Sequence, residues 1–201
     1  PAGGRGAAET AQAIHRADVI LALGTRLNQA TTHWNWSVID RATRIIQVDI
    51  DAQEIGRNFP VAIGIVGDAG AVGRQLLERL RAELKGPRPN AKWAGELEAL
   101  AAKRRARIEA EAGLTGEEYM PPQRVYPELN RVLPRDCMVT LDAGVAPGLA
   151  YDRLKFDLPR TFFNYAGVGG LGMGYCVGLG TKLGRPDRAA DSILDDGGFL
   201  Y

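Results

Sequence analysis

The sequence predicts an α/β protein: two incomplete doubly wound, Rossmann-like parallel-sheet units joined by a helical linker. Three observations carry that prediction. Short apolar runs ending in Gly or Asp alternate with stretches of helical period. A charged, weakly amphipathic segment bounded by Pro and Gly separates two such series. Glycine crowds the second series, where Gly144, Gly148, Gly167, Gly169, Gly170, Gly172, Gly174, Gly178 and Gly180 place nine between positions 144 and 180.

In the first series, residues 7–17 are good helix formers and lead into Asp18-Val19-Ile20-Leu21-Ala22-Leu23-Gly24, an apolar run that reads as a buried parallel strand. Residues 44–50 and 61–66 read as two more strands. After Gly67-Asp68 the period turns helical, with Val72, Leu76, Leu77, Leu80 and Leu84 on one stripe and Asp68 placed to cap it. Gly86-Pro87-Arg88-Pro89-Asn90 breaks the chain, and 91–112 is a helix rich in Ala, Glu, Lys and Arg. Its basic run of Lys103, Arg104, Arg105 and Arg107 is flanked by Glu96, Glu98, Glu109 and Glu111, which favours a solvated linker over a phosphate site. Beyond it, 125–133 reads as an amphipathic helix and 137–142 as a strand. Residues 161–163 follow as a short strand, 171–184 as a Gly-rich helix and 189–194 as a strand. The expected divisions are therefore 1–82, a linker at 83–120, and 121–201.

Composition narrows the function classes. The 201 residues hold 25 Lys and Arg against 24 Asp and Glu, a formal net charge of +1. That balance lacks the clustered cationic surface of a dedicated nucleic-acid binder. No apolar stretch approaches the length of about eighteen residues that marks a membrane span, and the start has no signal-peptide core. The expected setting is cytoplasmic, with neither nucleic acid nor membrane as a partner. Cys137 and Cys176 lack CxxC spacing and sit in apolar runs, so both are expected to be reduced and buried. His15 and His33 have neither triad partners nor metal spacing, and Trp34 and Trp36 read as loop packing. The chain opens without Met and stops at Tyr201 just after a Gly pair, which reads as an excerpt of a longer protein.

Two motifs bear on chemistry. Gly167-Val168-Gly169-Gly170-Leu171-Gly172 matches GxGxxG ahead of a helical stretch, a spacing that lets backbone approach a pyrophosphate. Asp195 or Asp196 could then serve as a ribose-binding acid of a nicotinamide dinucleotide domain. The glycines continue through Gly174, Gly178 and Gly180, however, and small residues on one helix face also serve close packing. Asp195-Asp196-Gly197-Gly198 closes the last apolar run, where a carboxylate suits Mg²⁺ held together with substrate phosphates, or simply an acidic turn.

Taken together and in order, these segments resemble the thiamine diphosphate-dependent enzymes, specifically the acetolactate synthase-like group. Residues 167–182 (GVGGLGMGYCVGLGTK) align without gaps to that family's segment of the type GLGTMGYGLPAAIGAK. Asp195-Asp196-Gly197-Gly198-Phe199 stands where the family has Gly-Asp-Gly-Gly-Phe, and 139–144 (VTLDAG) resembles the strand and turn before the diphosphate. Residues 17–26 (ADVILALGTR) and 48–68 (VDIDAQEIGRNFPVAIGIVGD) look like the family's central domain. The resemblance implies that 1–82 is the later part of the central domain and 121–201 the start of the thiamine diphosphate-binding domain.

By matched position, the Gly169 carbonyl would accept from the cofactor's 4′-amino group, beside Gly170. Leu171 would be the apolar wedge beneath the bent cofactor. Asp196 would hold Mg²⁺, followed by Gly197 and Gly198, and Gly144 would border the diphosphate. Gly24, Arg26, Asp49, Ile50 and Asp68 match the positions at which acetolactate synthases bind FAD. The family's RxDDR-type loop reads Arg26-Leu27-Asn28-Gln29-Ala30 here, so FAD, another adenine nucleotide and no nucleotide all stay open. Two more departures stand out. Asp195 replaces a Gly, which would strain the backbone if that position needs a positive φ and would repel a diphosphate unless metal intervenes. Asp191 puts a carboxylate where a buried strand should be apolar.

The resemblance implies an enzyme that decarboxylates a 2-oxo acid such as pyruvate and transfers the acyl unit. The activating glutamate belongs to the family's N-terminal domain and a neighbouring subunit, so no Glu here is assigned a catalytic role, and a homodimer or homotetramer is implied. The chain by itself is expected to be inactive and poorly soluble. Alternatives are a 2-hydroxyacyl-CoA lyase or sulfoacetaldehyde acetyltransferase-type activity, or a non-catalytic relic or partner-binding subunit.

Overall fold

The computed structural model describes residues 6–32, 35–86, 90–116, 118–164 and 169–201. His33, Trp34, the Pro87–Pro89 break and the opening Gly167-Val168 of the glycine motif lie outside them. A division into two units falls between Arg104 and Arg105, inside the long linker helix.

The first unit begins with α1 (Ala8–His15) and β1 (Val19–Leu23), followed by the short α2 (Gln29–Thr32). Next come β2 (Arg44–Asp49), β3 (Ile63–Val66) and α3 (Ala69–Glu83). The strands form a parallel sheet in the order β1-β2-β3, with Leu21 beside Ile46 and Val48 beside Ile65. Parallel neighbours need a crossover, and the predicted alternation of strand and helix supplies the chain for it. Ala22, Leu27, Ile39, Ile45 and Phe59 make the core, with Ile14 and Ile20 packed against it. Asp68 caps α3 as expected: its Oδ1 accepts from the Ala71 N–H at 2.7 Å. The leucine stripe of α3 is formed but stays half-open, and none of the helix's residues is buried. His15 sits at the surface with its Nδ1 3.0 Å from the Ser37 carbonyl, and Trp36 packs on Phe59 with ring centroids 5.1 Å apart.

The linker helix α4 (Ala91–Glu111) begins in the first unit and ends in the second. The second unit continues with α5 (Val125–Val132), β4 (Met138–Leu141), α6 (Val145–Arg153) and β5 (Phe162–Asn164). It closes with α7 (Met173–Gly184), β6 (Ala190–Ile193) and α8 (Asp196–Phe199). The parallel sheet runs β5-β4-β6, so β4 is central and all four of its residues are buried. The core gathers Tyr126, Cys137, Val139, Leu141, Ala150 and Leu154.

Four expectations need correction. The helix α6 was not anticipated, because no apolar stripe marks residues 145–153. Pro is tolerated in a first helical turn, and buried Pro147 and Ala150 are slim enough to pack there. Cys137 is buried as expected, but Cys176 lies on the exposed side of α7. Asp191 is only half-buried, because β6 borders the described sheet, so the anticipated burial cost is not incurred in full. The linker helix is not wholly solvated either. Arg153 Nε and Nη2 donate to the two Glu111 carboxylate oxygens, each at 2.6 Å, and Arg107 Nη2 donates to Asp152 Oδ2 at 2.7 Å. The Arg153, Glu111 and Asp152 side chains are only 10%, 13% and 6% exposed, so this is a nearly desolvated network.

Removing one member of such a network strands a buried charge. Arg153→Met should therefore lower unfolding free energy by about 3 kcal/mol in urea titration, whereas an exposed pair contributes under about 1 kcal/mol. Burial also pushes the Tyr126 phenol up to about 12, partly opposed by Arg153 and reinforced by Asp195. The folded state thus favours the neutral phenol over an unfolded chain that ionises near 10. Stability should fall as pH rises from about 10 to about 12, and Tyr126→Phe should flatten that fall in alkaline thermal scans.

Candidate cofactor site

At the carboxyl end of β4 the chain turns at Asp142, whose side chain is 1% exposed. Its carboxylate accepts three backbone N–H groups: Ala143 at 2.9 Å, Gly172 at 2.8 Å and Gly174 at 3.4 Å. Two of these donors open α7, whose first N–H groups have no partner within the helix. The acid therefore satisfies the start of the Gly-rich helix and pins it to the central strand.

Glycine makes that approach feasible. Gly172 adopts a left-handed φ of 80° at the helix cap. A Cβ on Gly174 would lie 2.7 Å from the Asp142 nitrogen, and one on Gly198 would collide with Asp142 Oδ2. Further along α7, a Cβ on Gly178 would strike Ser192 Oγ, itself 2.8 Å from Thr140 Oγ1. Thr140 Oγ1 also donates to the Gly174 carbonyl at 2.8 Å. Gly174 and Gly178 are thus packing glycines, the structural reading the sequence had kept open. The turn before them differs. A Cβ on Gly170 would meet only Met173, no closer than 3.6 Å, one on Gly197 would meet nothing within 4 Å, and Leu171 is 45% exposed. Among the described residues, no contact explains bare backbone at Gly170 and Gly197.

The other half of the site lies beside Asp142. Gly144, at φ 146°, precedes α6 and faces Asp195, whose Oδ2 accepts from the Val145 N–H at 3.1 Å. Asp195 has φ −85° and ψ 164°, so the strain anticipated for it is absent: the position is extended and any residue adopts it. Asp196, the first residue of α8, is exposed. Among the described residues no group of three acidic, His or Cys side chains is arranged to hold a metal ion. A divalent cation here would rest on Asp196 and on ligand oxygens, the style expected of Mg²⁺. The fold thus brings Gly144, Gly169–Leu171 and Asp196–Gly198 to the carboxyl edge of one sheet. Asp142, which joins them, escaped the sequence reading except as the last residue of a strand; an acid closing an apolar strand was the available signal.

In the first unit, Gly24, Arg26, Asp49, Ile50 and Asp68 gather likewise at the carboxyl edge of β1–β3. The Gly24 N–H donates to the Val48 carbonyl at 2.8 Å and the Gly67 N–H to the Asp49 carbonyl at 2.9 Å. Gln47, 2% exposed, ties the neighbouring loops: its Nε2 donates to the carbonyls of Thr25 and Glu54, and its Oε1 accepts from the Gly56 N–H. Asp49 Oδ1 already accepts from Asp51 N–H and Asp68 caps α3, while Ile50 is 76% exposed. Glu54 pairs with Arg57 at 2.8 Å and Arg26 at 3.9 Å, and its buried Oε2 has no hydrogen bond among the described residues. Leu27 is buried with φ 49°, a strained conformation for a branched side chain in the loop that departs from the RxDDR pattern.

Comparison with known proteins identifies the family. The thiamine pyrophosphate enzyme central domain family matches residues 1–76. The chain is 32% identical over 196 residues to the acetolactate synthase large subunit of Haemophilus influenzae, covering 97% of this chain and 33% of that protein. The chain belongs to the thiamine pyrophosphate enzyme family. Its similarity to the acetolactate synthase isozyme 3 large subunit of Escherichia coli is 32% over 197 residues, 97% of this chain and 33% of that one. The sulfoacetaldehyde acetyltransferase of Alcaligenes xylosoxydans xylosoxydans is 30% identical over 220 residues, 99% of this chain and 36% of its own. The chain therefore spans about a third of the length of these relatives.

The two kinds of glycine in α7 should separate in thermal unfolding. Gly174→Ala forces a methyl group against the Asp142 backbone and should destabilise by about 1–3 kcal/mol. Gly180→Ala meets open space within the same helix and should be neutral or stabilising by up to about 1 kcal/mol.

Proposed function

We propose that this chain is part of a thiamine diphosphate- and Mg²⁺-dependent enzyme that decarboxylates a 2-oxo acid such as pyruvate and transfers the acyl unit. The observation that carries this reading is the convergence of the Gly144 turn, the Gly169–Leu171 backbone and Asp196 at one sheet edge around the buried Asp142 carboxylate. The donor set fits the group. A carboxylate on an exposed strand-end turn can hold Mg²⁺, and the uncrowded backbone at Gly170 and Gly197 leaves room for a ligand among the described residues. When bound, thiamine diphosphate supplies a nucleophilic thiazolium carbon and a cationic ring that takes up the electrons released on decarboxylation.

The chain's own residues do the holding. The Gly169 carbonyl would accept from the aminopyrimidine, Leu171 would pack against the ligand, and Asp196 would hold the cation that offsets the diphosphate charge. Gly144 would keep side-chain bulk away from the diphosphate end. The remaining catalytic group, an activating glutamate, would come from a second copy, so the working form is a homodimer or a larger even assembly in the cytoplasm. A nucleotide at the first unit's edge, FAD included, would rest on Gly24, Arg26, Asp49, Ile50 and Asp68. A sulfoacetaldehyde acetyltransferase-type reaction is the second reading, favoured by comparable similarity to the Alcaligenes protein.

Calorimetric titration of the natural full-length protein with thiamine diphosphate and Mg²⁺ tests the assignment. The expected result is Mg²⁺-dependent binding that Asp196→Asn weakens at least tenfold. Wild-type protein that takes up no ligand in the presence of Mg²⁺ would point instead to a non-catalytic relative.

A further inference from the structure

The second unit has a recess at the amino end of β4, about 16 Å of extended chain before Asp142 and its glycine turns. Leu129 and Leu133 line it from α5 and its end, Cys137 and Val139 from the central strand, and Leu154 and Phe156 from the segment after α6. The Asn130 side chain fixes the spacing of these walls. Its Nδ2 donates to the Arg153 carbonyl at 2.8 Å, and its Oδ1 accepts from the Lys155 N–H at 3.0 Å. The cavity they leave is about 20 Å³, room for a methyl-sized group and not for a ring.

Two cations, Arg135 and Lys155, line the same recess, and no acid does. Arg135 shares Asp157 at 3.1 Å in a pair exposed on both sides, a weak commitment. The Lys155 ammonium makes no ion pair among the described residues. Burial above all pushes the Cys137 thiol up, with Asp191 and Asp136 adding to the shift, and neither acid lines the recess. A thiol so shifted stays neutral, so the floor is apolar and carries no charge against an anion. An apolar floor beneath an unpaired cation matches a ligand with an alkyl end and an anionic head on one short chain. The geometry points to a binding site for a short, unbranched aliphatic carboxylate, its terminal methyl in the recess and its carboxylate on Lys155 beside Arg135. Each methylene that enters the recess should tighten binding about fourfold until the space is filled, and a ring should be refused. The site needs neither metal nor the Gly-rich turn, and its ligand needs no 2-oxo group.

The test is alkylation of the natural full-length protein by iodoacetamide, read by mass spectrometry at Cys137 and at the exposed Cys176 as control. Butanoate, acetate, benzoate and butan-1-ol are the added probes. Butanoate should slow Cys137 alkylation at least fivefold and leave Cys176 unchanged, whereas each of the other three should need at least tenfold more for the same protection. Lys155→Gln should abolish protection by butanoate and Lys155→Arg should keep it; the side chain is exposed, so neither variant should move Tm. Equal protection by butan-1-ol, undiminished protection in Lys155→Gln, or no protection by butanoate would each overturn the inference. If native Cys137 does not alkylate at all, broadening of the butanoate methyl resonance takes its place. Broadening that Lys155→Gln removes supports the site; broadening that the variant leaves intact, or none, overturns it. Failure to bind thiamine diphosphate would leave these readings untouched, so the cofactor reading and this one fail separately.

Discussion

The second unit depends on one buried carboxylate. Asp142 sits at the end of the central strand with 1% exposure, and its charge is tolerated only because backbone N–H groups surround it. Each donor comes from a segment that must then stay close: its own turn, the helix cap at Gly172, and the first turn of α7. The glycines at 174 and 198 follow from this constraint, since any side chain there would collide with the acid or its backbone. One charge in a low-dielectric place thus dictates bare backbone at several positions around it. The Thr140–Ser192 hydroxyl pair extends the same logic one layer deeper along α7.

The regular elements were legible because parallel strands and their helices have distinct periods. Every strand expected from an apolar run is present, with ends shifted by one or two residues, as at β4 (Met138–Leu141) and β6 (Ala190–Ile193). The helix α6 was hidden because its stability comes from small buried residues against β4 rather than from an apolar stripe. Within the site, the glycine and acid motifs announced themselves by spacing, but their hub did not. Nothing local distinguishes Asp142 from any acid at a turn; its role exists only once residues thirty positions away fold back onto it. The conformation of Asp195 was likewise unreadable, since the family's glycine suggested a backbone requirement that the fold does not impose.

The first unit organises its sheet edge by different means. There the central buried group is Gln47, a neutral amide that spends its donors and acceptor on three loop backbones. An amide serves as a hub without a charge to neutralise, so the charged residues nearby can point outward. Arg26 does so, 58% exposed beside the enclosed Glu54. The departure of the Arg26–Ala30 loop from its family pattern coincides with a strained, buried Leu27, which anchors the loop in the core.

The helix α6 has a property that follows from its two ends. At one end the Val145 N–H is held by Asp195; at the other, Arg153 is forked onto Glu111 and the neighbouring Asp152 onto Arg107. Nine residues make a rod of about 13 Å. Fastened at both tips, it behaves as a strut: it cannot tilt or slide at its amino-terminal tip without stretching the ionic joint at the far one. The position of the Val145 donor is therefore set partly by guanidinium groups a full helix length away.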